Sequence, residues 1–227
     1  MPRSRAPLAA PMASPAQKEN PLQETGDNAW TLGAWKLVAA PDIHAEASEL
    51  SKPGIDTKSW MQATLPGTVL TTMVDRGVYP DPDYGLNNLA IPESLNKQDY
   101  WYRTEFKAPK ETAGRQLTLT FEGINYKADV WLNGQSLGTI TGAFIRGVFD
   151  VTKILKADNV LAVRISPPPH PGIPQEQSIK GGPGENGGTM CLDGPTFVPP
   201  KAGIGFPPSA IAIPESGSRS RSPLPAA

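Results

Sequence analysis

The fold is decided by the stretch Asp129-Val130-Trp131-Leu132-Asn133-Gly134-Gln135-Ser136-Leu137-Gly138. An apolar run leads into the Asn133-Gly134 pair, and a second alternating run follows it. A two-residue hairpin turn of type I′ needs a positive φ at both central residues, and Asn and Gly tolerate that conformation best. The stretch therefore predicts two antiparallel strands joined by a tight turn.

Strands are also predicted on both sides of this hairpin, in four segments of alternating or aromatic composition: 100–106, 116–122, 144–151 and 159–165. Alternation places the apolar residues of such strands on one face, where they bury against a second layer. We expect a core that contains Leu119, Phe121, Val130, Trp131, Leu161 and Val163.

One short helix is predicted over residues 67–77, where Val69, Leu70, Met73 and Val74 have helical spacing. Gly77 stands where a glycine commonly ends a helix. Several short strands, one short helix and no regular alternation of strand with helix favour an all-β fold, an antiparallel β-sandwich.

Composition and charge exclude several classes of function. The chain has 227 residues with 21 Lys and Arg against 22 Asp and Glu, so its net charge of −1 offers no attraction to nucleic acid. One cysteine and two histidines leave no disulfide framework and no metal-ligand cluster. Since no apolar run approaches the ~20 residues that cross a bilayer, we expect a soluble protein without cofactor, metal or membrane partner.

The chain divides into four parts by composition. Residues 1–26 are predicted to be a disordered leader, in which prolines interrupt the apolar stretch that a signal peptide needs. The sequence therefore leaves the localisation open. Residues 27–166 contain every tryptophan and form the folded body. Residues 167–200 are a long Gly/Pro-rich loop, and residues 201–227 are a disordered tail.

Two loops have the composition of a carbohydrate site, in which aromatic faces accompany Asp and Asn side chains that bind hydroxyls. The candidate substrate-binding residues are Asp81, Tyr84, Asn87, Asn88, Asn186 and Asp193. Asp and Asn are also ordinary turn residues, so a purely structural role is the alternative for both loops. No catalytic constellation is visible, because G-x-S-x-G is missing and the Gly-rich residues 181–184 lack the Lys-Ser/Thr of a phosphate loop.

A series of motifs runs through the folded body in a fixed order: Trp60-x5-Pro66-Gly67-Thr68-Val69, Tyr79-Pro80-Asp81-Pro82, Gly85-Leu86-Asn87, Tyr100-Trp101-Tyr102-Arg103, Phe121-x-Gly123, Ala128-x-Val130-Trp131-Leu132-Asn133-Gly134, Phe149-Asp150-Val151-Thr152 and Asn159-x-Leu161-Ala162-Val163-Arg164. The series resembles the N-terminal sugar-binding domain of glycoside hydrolase family 2. The Pro-Asp-Pro and Tyr-Trp-Tyr-Arg blocks resemble its β-mannosidase and exo-β-glucosaminidase branch. The resemblance implies a galactose-binding-domain-like jelly-roll β-sandwich.

In that family the jelly roll packs against a TIM barrel, and two glutamates of the barrel carry out a retaining hydrolysis. A barrel takes about 250 residues, which this chain does not hold beside its predicted sandwich. The resemblance therefore implies a truncated, non-catalytic domain whose missing intramolecular partner is the barrel, and relatives that act on β-mannosides or β-glucosaminides. The alternatives are a free-standing carbohydrate-binding module and a non-functional gene remnant.

The tail departs from the family pattern. Relatives continue with Trp-Asp-Trp-Ile-Pro, where this chain reads Ala202-Gly203-Ile204-Gly205-Phe206-Pro207. Starting each codon one base earlier gives Trp-Asp-Trp-Ile-Pro when permitted third bases are chosen, and the observed residues determine the other two bases of every shifted codon. We interpret residues from about 199 to 227 as a frameshifted reading, and we expect a sandwich that lacks its last strands.

Overall fold

The computed structural model describes residues 21–26, 28–84, 87, 91–142, 145–167, 205–206 and 209–212. The strands are β1 (Leu22–Gly26), β2 (Ala29–Leu32), β3 (Lys36–Ala39), β4 (Met61–Gln62), β5 (Gly67–Thr68), β6 (Tyr100–Lys107), β7 (Thr118–Phe121), β8 (Lys127–Leu132), β9 (Gln135–Thr141), β10 (Gly147–Asp150), β11 (Asp158–Ser166), β12 (Gly205–Phe206) and β13 (Ser209–Ala212). The helices are α1 (Ala47–Leu50) and α2 (Val69–Asp75), with 3₁₀ turns at Ala40–Asp42, Glu93–Asn96 and Lys110–Thr112. In this part of the chain, no helix is long and apolar enough to span a membrane.

Two antiparallel sheets form the body of the protein. The five-stranded sheet has the order β1-β2-β13-β7-β10, and the six-stranded sheet has the order β4-β3-β6-β11-β8-β9. Strands β5 and β12 form a separate two-stranded ribbon. Apolar side chains of both large sheets meet in one core. The predicted all-β sandwich is therefore confirmed.

The inner core contains five of the six residues that alternation assigned to it: Leu119, Phe121, Val130, Leu161 and Val163. The prediction was wrong for Trp131. Neighbouring residues of a strand point to opposite faces, so an inward Val130 sends Trp131 to the outer face of the six-stranded sheet. Trp131 is half-buried there, and its ring centroid lies 5.4 Å from that of Trp101.

The predicted hairpin is confirmed, with φ of 53° at Asn133 and 86° at Gly134. The Asn133 side chain also links the turn to the neighbouring strand, because its Nδ2 donates to Asn159 Oδ1 at 2.8 Å and its Oδ1 accepts from Val160 N at 3.0 Å. Asn159 is itself buried and donates to Lys156 O at 2.6 Å. A turn signal in the sequence therefore has a second, tertiary role in the fold.

The predicted helix is confirmed as α2. Thr68 precedes it, and its side chain accepts a hydrogen bond from Thr71 N at 3.0 Å. Gly77 follows it with φ of 71°, and Val78 N donates back to Met73 O at 2.8 Å. This closing pattern is the one that favours glycine after a helix.

The ends of the described chain differ from the sequence expectation of disorder. Leu22–Gly26 pairs with β2 although it lies inside the expected leader. In the expected tail, β12 pairs with β5, and β13 lies between β2 and β7. Edge strands and short insertions are held by backbone hydrogen bonds, which an apolar period in the sequence does not report. Of the expected loop of residues 167–200, residues 168–200 lie outside the described residues.

A layer formed by residues 40–60 covers part of the outer face of the six-stranded sheet. Its apolar residues Leu50 and Trp60 form a second core with Trp101 and Ala162. Arg103, which is 2% exposed, anchors this layer because its Nε donates to Leu50 O at 2.9 Å and its Nη2 to Lys52 O at 3.0 Å. The central strands are consequently buried on both faces.

Beside this second core, Arg164 lies against two indole rings. Its guanidinium carbon is 5.9 Å from the ring centroid of Trp101 and 5.8 Å from that of Trp131. Its Nη2 donates to Asp129 Oδ2 at 2.8 Å. The tryptophan faces are thus occupied by a side chain of the protein itself, in a cation–π arrangement.

We predict that Arg103→Met lowers the free energy of unfolding by roughly 3 kcal/mol, because it leaves the buried hydrogen bond to Leu50 O and the part-buried one to Lys52 O without a charged donor. Urea unfolding followed by tryptophan fluorescence measures the loss. Arg146→Met is the control, since Arg146 is exposed in an ion pair with Glu122 and should contribute less than about 1 kcal/mol. Equal losses for the two variants would contradict the anchoring role.

A second prediction concerns acid stability. Burial raises the pKa of Asp129, but hydrogen bonds from Thr139 and Arg164 and the charges of Lys127 and Arg164 outweigh it, so the pKa is lowered. The contribution of ionised Asp129 to the free energy of unfolding is therefore complete above the unfolded-state pKa of about 3.9. It is lost as the pH falls through the lower folded-state pKa. Thr139→Val should be less stable than the native chain at neutral pH, and this difference should shrink in acid.

The measurement is urea unfolding of both proteins at neutral pH and at a series of acid pH values. Thr141→Val provides the control, because Thr141 is exposed on the same strand, β9. Its difference from the native chain should not depend on pH. A difference for Thr139→Val that stays constant from neutral to acid pH would show that the hydrogen bond to Asp129 does not lower its pKa.

Candidate functional site

The first candidate loop, residues 81–88, follows helix α2, and the structure describes its residues 81–84 and 87. Asp81 holds its first turn. The Oδ1 atom of Asp81 accepts from Asp83 N at 2.9 Å, and its carbonyl accepts from Tyr84 N at 3.2 Å. Asp is favoured in turns because its short carboxylate reaches the backbone two residues on. One oxygen of this carboxylate is therefore used to hold the turn.

Asn87 closes the same loop from inside. Its side chain is fully buried, its Nδ2 donates to Asp81 O at 2.8 Å, and its backbone N donates to Tyr84 O at 3.1 Å. Its Oδ1 is buried and has no donor among the described residues. The geometry gives Asn87 a positioning role in the loop, because solvent does not reach its side chain.

Tyr84 is the member of this loop that offers a surface to a ligand. Its side chain is 50% exposed. Asp81 and Asp83 are exposed beside it in the chain. The remaining candidates, Asn88, Asn186 and Asp193, lie outside the described residues, so the structure brings together Asp81, Tyr84 and Asn87 alone. A half-exposed phenol next to carboxylates can stack on a sugar ring and accept hydroxyl hydrogen bonds.

The sequence did not reveal how α2 is held below this loop. Thr64 Oγ1 donates to Asp75 Oδ2 at 2.6 Å, and Thr64 N donates to Thr72 Oγ1 at 3.0 Å. The backbone of Thr64 also lies close to Gly67. A glycine is needed there because a Cβ would lie 2.7 Å from Thr64 O. Threonine and aspartate at these positions follow no recognisable spacing, so only the fold brings them together.

The ribbon of β5 and β12 brings the tail back to the start of α2. Gly205 is paired with Thr68, and Phe206 is paired with Gly67. In the sequence this segment stands where the family pattern has Trp-Asp-Trp. The backbone of Gly205 and Phe206 therefore lies beside the start of the helix that precedes the candidate loop.

Two buried phenols stand on the strand after the loop, and neither is suited to proton transfer at neutral pH. Burial raises the pKa of Tyr100, which also accepts from Gln98 Nε2 at 2.8 Å, and the nearby Tyr79 and Asp42 raise it further. Burial likewise raises the pKa of Tyr102. Both groups stay protonated across the physiological range, where an acid–base catalyst needs a pKa near the working pH.

Within the described residues, no group of three or more His, Cys, Asp and Glu side chains is arranged to hold a metal ion. The candidate loop contains two carboxylates, and one of them is bonded to the backbone of the other. This arrangement is suited to holding a polar ligand against one aromatic ring. It offers no buried acid beside a second carboxylate, the pattern that glycoside hydrolysis uses.

Comparison with known proteins supplies the family. Residues 35–192 match the model of the family described as glycosyl hydrolase 2 galactose-binding domain-like. The chain is 35% identical over 178 residues to the mannosylglycoprotein endo-β-mannosidase of Lilium longiflorum, covering 73% of this chain and 19% of the relative. It is 30% identical over 164 residues to the exo-β-D-glucosaminidase of Amycolatopsis orientalis, covering 70% of this chain and 16% of the relative.

Solved structures agree with this family. The crystal structure of the Amycolatopsis orientalis exo-chitosanase CsxA matches with a TM-score of 0.57 and 27% identity, over 64% of this chain and 17% of that chain. A β-D-mannosidase from Dictyoglomus thermophilum matches with a TM-score of 0.57 over 82% of this chain and 22% of that chain, and its 23% identity supports the fold alone.

The chain spans less than a fifth of the length of the curated relatives compared above, at 19% and 16%. The resemblance to the β-mannosidase and exo-β-glucosaminidase branch is confirmed, as is the galactose-binding-like jelly roll. With the family model matching well over half of its residues, the chain belongs to the glycosyl hydrolase 2 galactose-binding domain-like family.

Proposed function

We propose that this chain acts as the non-catalytic N-terminal sugar-binding-type domain of a family 2 exo-β-glycosidase of the β-mannosidase and exo-β-glucosaminidase type. The observation that carries the proposal is the family match over residues 35–192, in a chain that spans a small part of its relatives. In this proposal the catalytic carboxylates belong to a barrel, and the jelly roll is that barrel's intramolecular partner. The carbohydrate is a β-mannoside or a β-glucosaminide.

The chemistry of the described residues supports a role without catalysis. A retaining glycosidase holds two carboxyl groups about 5–5.5 Å apart on either side of the scissile bond, and one of them needs a raised pKa. Of the described carboxylates, Asp129 and Asp150 have lowered pKa values, since Thr139 and Arg164 bind Asp129 and Thr152 binds Asp150. Neither is suited to the role of general acid.

A second candidate function is a free-standing carbohydrate-binding module. The observation that favours it is β13, which lies between β2 and β7 and completes the five-stranded sheet. A binding module needs an intact sandwich, whereas the sequence predicts one that lacks its last strands. The half-exposed Tyr84, with Asp81 and Asp83 beside it, supplies the aromatic contact that such a module needs.

We predict that the purified chain does not hydrolyse aryl β-mannosides or aryl β-glucosaminides. The physical reason is that hydrolysis of a glycosidic bond requires a paired acid and nucleophile. Release of the chromophore is measured against a buffer blank and against a family 2 enzyme as the positive control. Turnover that persists through repeated purification and is abolished by a point mutation in this chain would refute the non-catalytic role.

Sugar binding is predicted to be weak. Asn87 is buried and one oxygen of Asp81 holds the turn, so Tyr84 retains few polar partners for a sugar. Calorimetric titration with mannose, glucosamine and their β-linked disaccharides should give dissociation constants weaker than about 1 mM, equivalent to roughly 4 kcal/mol.

Two variants show whether any binding depends on the candidate loop. Tyr84→Ala removes the exposed ring of the loop, and Val148→Ala removes an exposed apolar side chain on the five-stranded sheet as the control. A dissociation constant tighter than about 1 mM that Tyr84→Ala abolishes and Val148→Ala preserves would favour the binding module over the first proposal.

A further inference from the structure

The five-stranded sheet is made of two strand pairs that one short strand joins. Strands β1 and β2 form one pair, and β7 and β10 form the other. In the described sheet, β13 lies between β2 and β7 and is antiparallel to both. Strands β2 and β7 therefore run parallel to each other, and they are separated by a slot one strand wide.

The slot selects its occupant by register. The backbone of Ile211 is paired with Trp30 on one side and with Leu119 on the other, and both partners have buried side chains. Ala210 is paired with Thr31 and Thr120, which are half-buried. A fitting segment is thus extended for four residues, with an apolar residue at the register position of Trp30 and Leu119.

The occupant reaches the slot through a long connection. Strand β11 ends at Ser166, and the stretch of residues 167–204 that follows it is rich in Gly and Pro. This stretch leads to β12 (Gly205–Phe206), which pairs with β5, and then to β13 (Ser209–Ala212). The ends of such a connection meet with an effective concentration on the order of 1 mM. The slot makes the same backbone hydrogen bonds whichever copy of the chain supplies the strand, so identical segments compete for it.

We propose that the β2–β7 slot is a strand-accepting site, and that the partner it takes in trans is the Ser209–Ala212 segment of a second copy of this chain. At low concentration each chain fills its own slot. As the chain concentration approaches the effective concentration of the tethered strand, two copies exchange β13 together with the adjoining β12 and form a reciprocal dimer. This exchange does not depend on whether the candidate loop binds a sugar.

The experiment uses the full chain with Ile211→Pro as the acceptor, because proline lacks the N–H that a central strand donates. The probe is a fluorescent peptide of residues 203–214, and the same peptide with Ile211→Pro is its matched control. Fluorescence anisotropy measures binding. Hydrogen exchange of residues 29–32 and 118–121 reports whether β2 and β7 become protected.

The native peptide should bind the Ile211→Pro chain at least roughly ten-fold more tightly than it binds the native chain, whose slot is filled by its own tethered strand. It should restore protection to both segments, and the proline peptide should do neither. Equal binding to the two chains, or binding of both peptides alike, would overturn the proposal.

A second measurement does not depend on the folding of the variant. Analytical ultracentrifugation of the native chain from micromolar to millimolar concentration should show a reversible monomer–dimer equilibrium, with a dissociation constant on the order of 1 mM. A monomer that persists unchanged to millimolar concentration would contradict strand exchange. A dimer of differently labelled copies would also contradict it if every β13 were still paired with β2 and β7 of its own copy.

Discussion

The burial of strand β11 on both faces is the constraint on which the rest of the structure depends. This strand pairs with β6 on one side and with β8 on the other, and the run from Asn159 to Val163 is buried throughout. One face is covered by the five-stranded sheet and the other by residues 40–60. Since a buried strand must place all its backbone groups in hydrogen bonds, both neighbours are obligatory. The cover must also be held by polar contacts of its own, and Arg103 supplies them.

The same constraint accounts for the position of the candidate site. Because the centre of the six-stranded sheet is covered on both faces, it leaves little surface for a ligand. The tryptophans of its outer face are covered by Arg164. In the candidate loop after α2, by contrast, Tyr84 is half-exposed. That loop is stabilised by its own hydrogen bonds between Asp81, Asp83 and Asn87. Its shape therefore owes little to any ligand, while its capacity for polar recognition is small.

The closure of the five-stranded sheet by β13 removes two open strand edges. Without β13, both β2 and β7 would present an open backbone edge, and open edges pair with other chains. The strand that covers them comes from the segment whose sequence departs from the family pattern. A jelly roll can accept such a segment because most of the affinity for an added strand comes from its backbone hydrogen bonds, and the side chains mainly set specificity.

The local elements of this protein were determined by its sequence. The turn at Asn133-Gly134, the helix ending at Gly77 and the inward faces of β7 and β11 follow from local stereochemistry and from the period of two. The family series of motifs was equally readable, because each motif is contiguous in the chain. For the candidate site, the sequence proposed Tyr84, whose side chain is exposed in the structure, and its role in sugar binding stays a prediction.

Only the tertiary structure decided which contacts join distant segments. It placed Trp131 on the outer face, because Val130 takes the inner one, and it gave Asn87 a buried position inside the loop. It also inserted β13 between β2 and β7. These outcomes depend on hydrogen bonds and packing between residues far apart in the chain, and periodicity carries no information about such pairs. Local sequence preferences therefore determined where the strands form, and the free energy of the whole fold decided which strands pair.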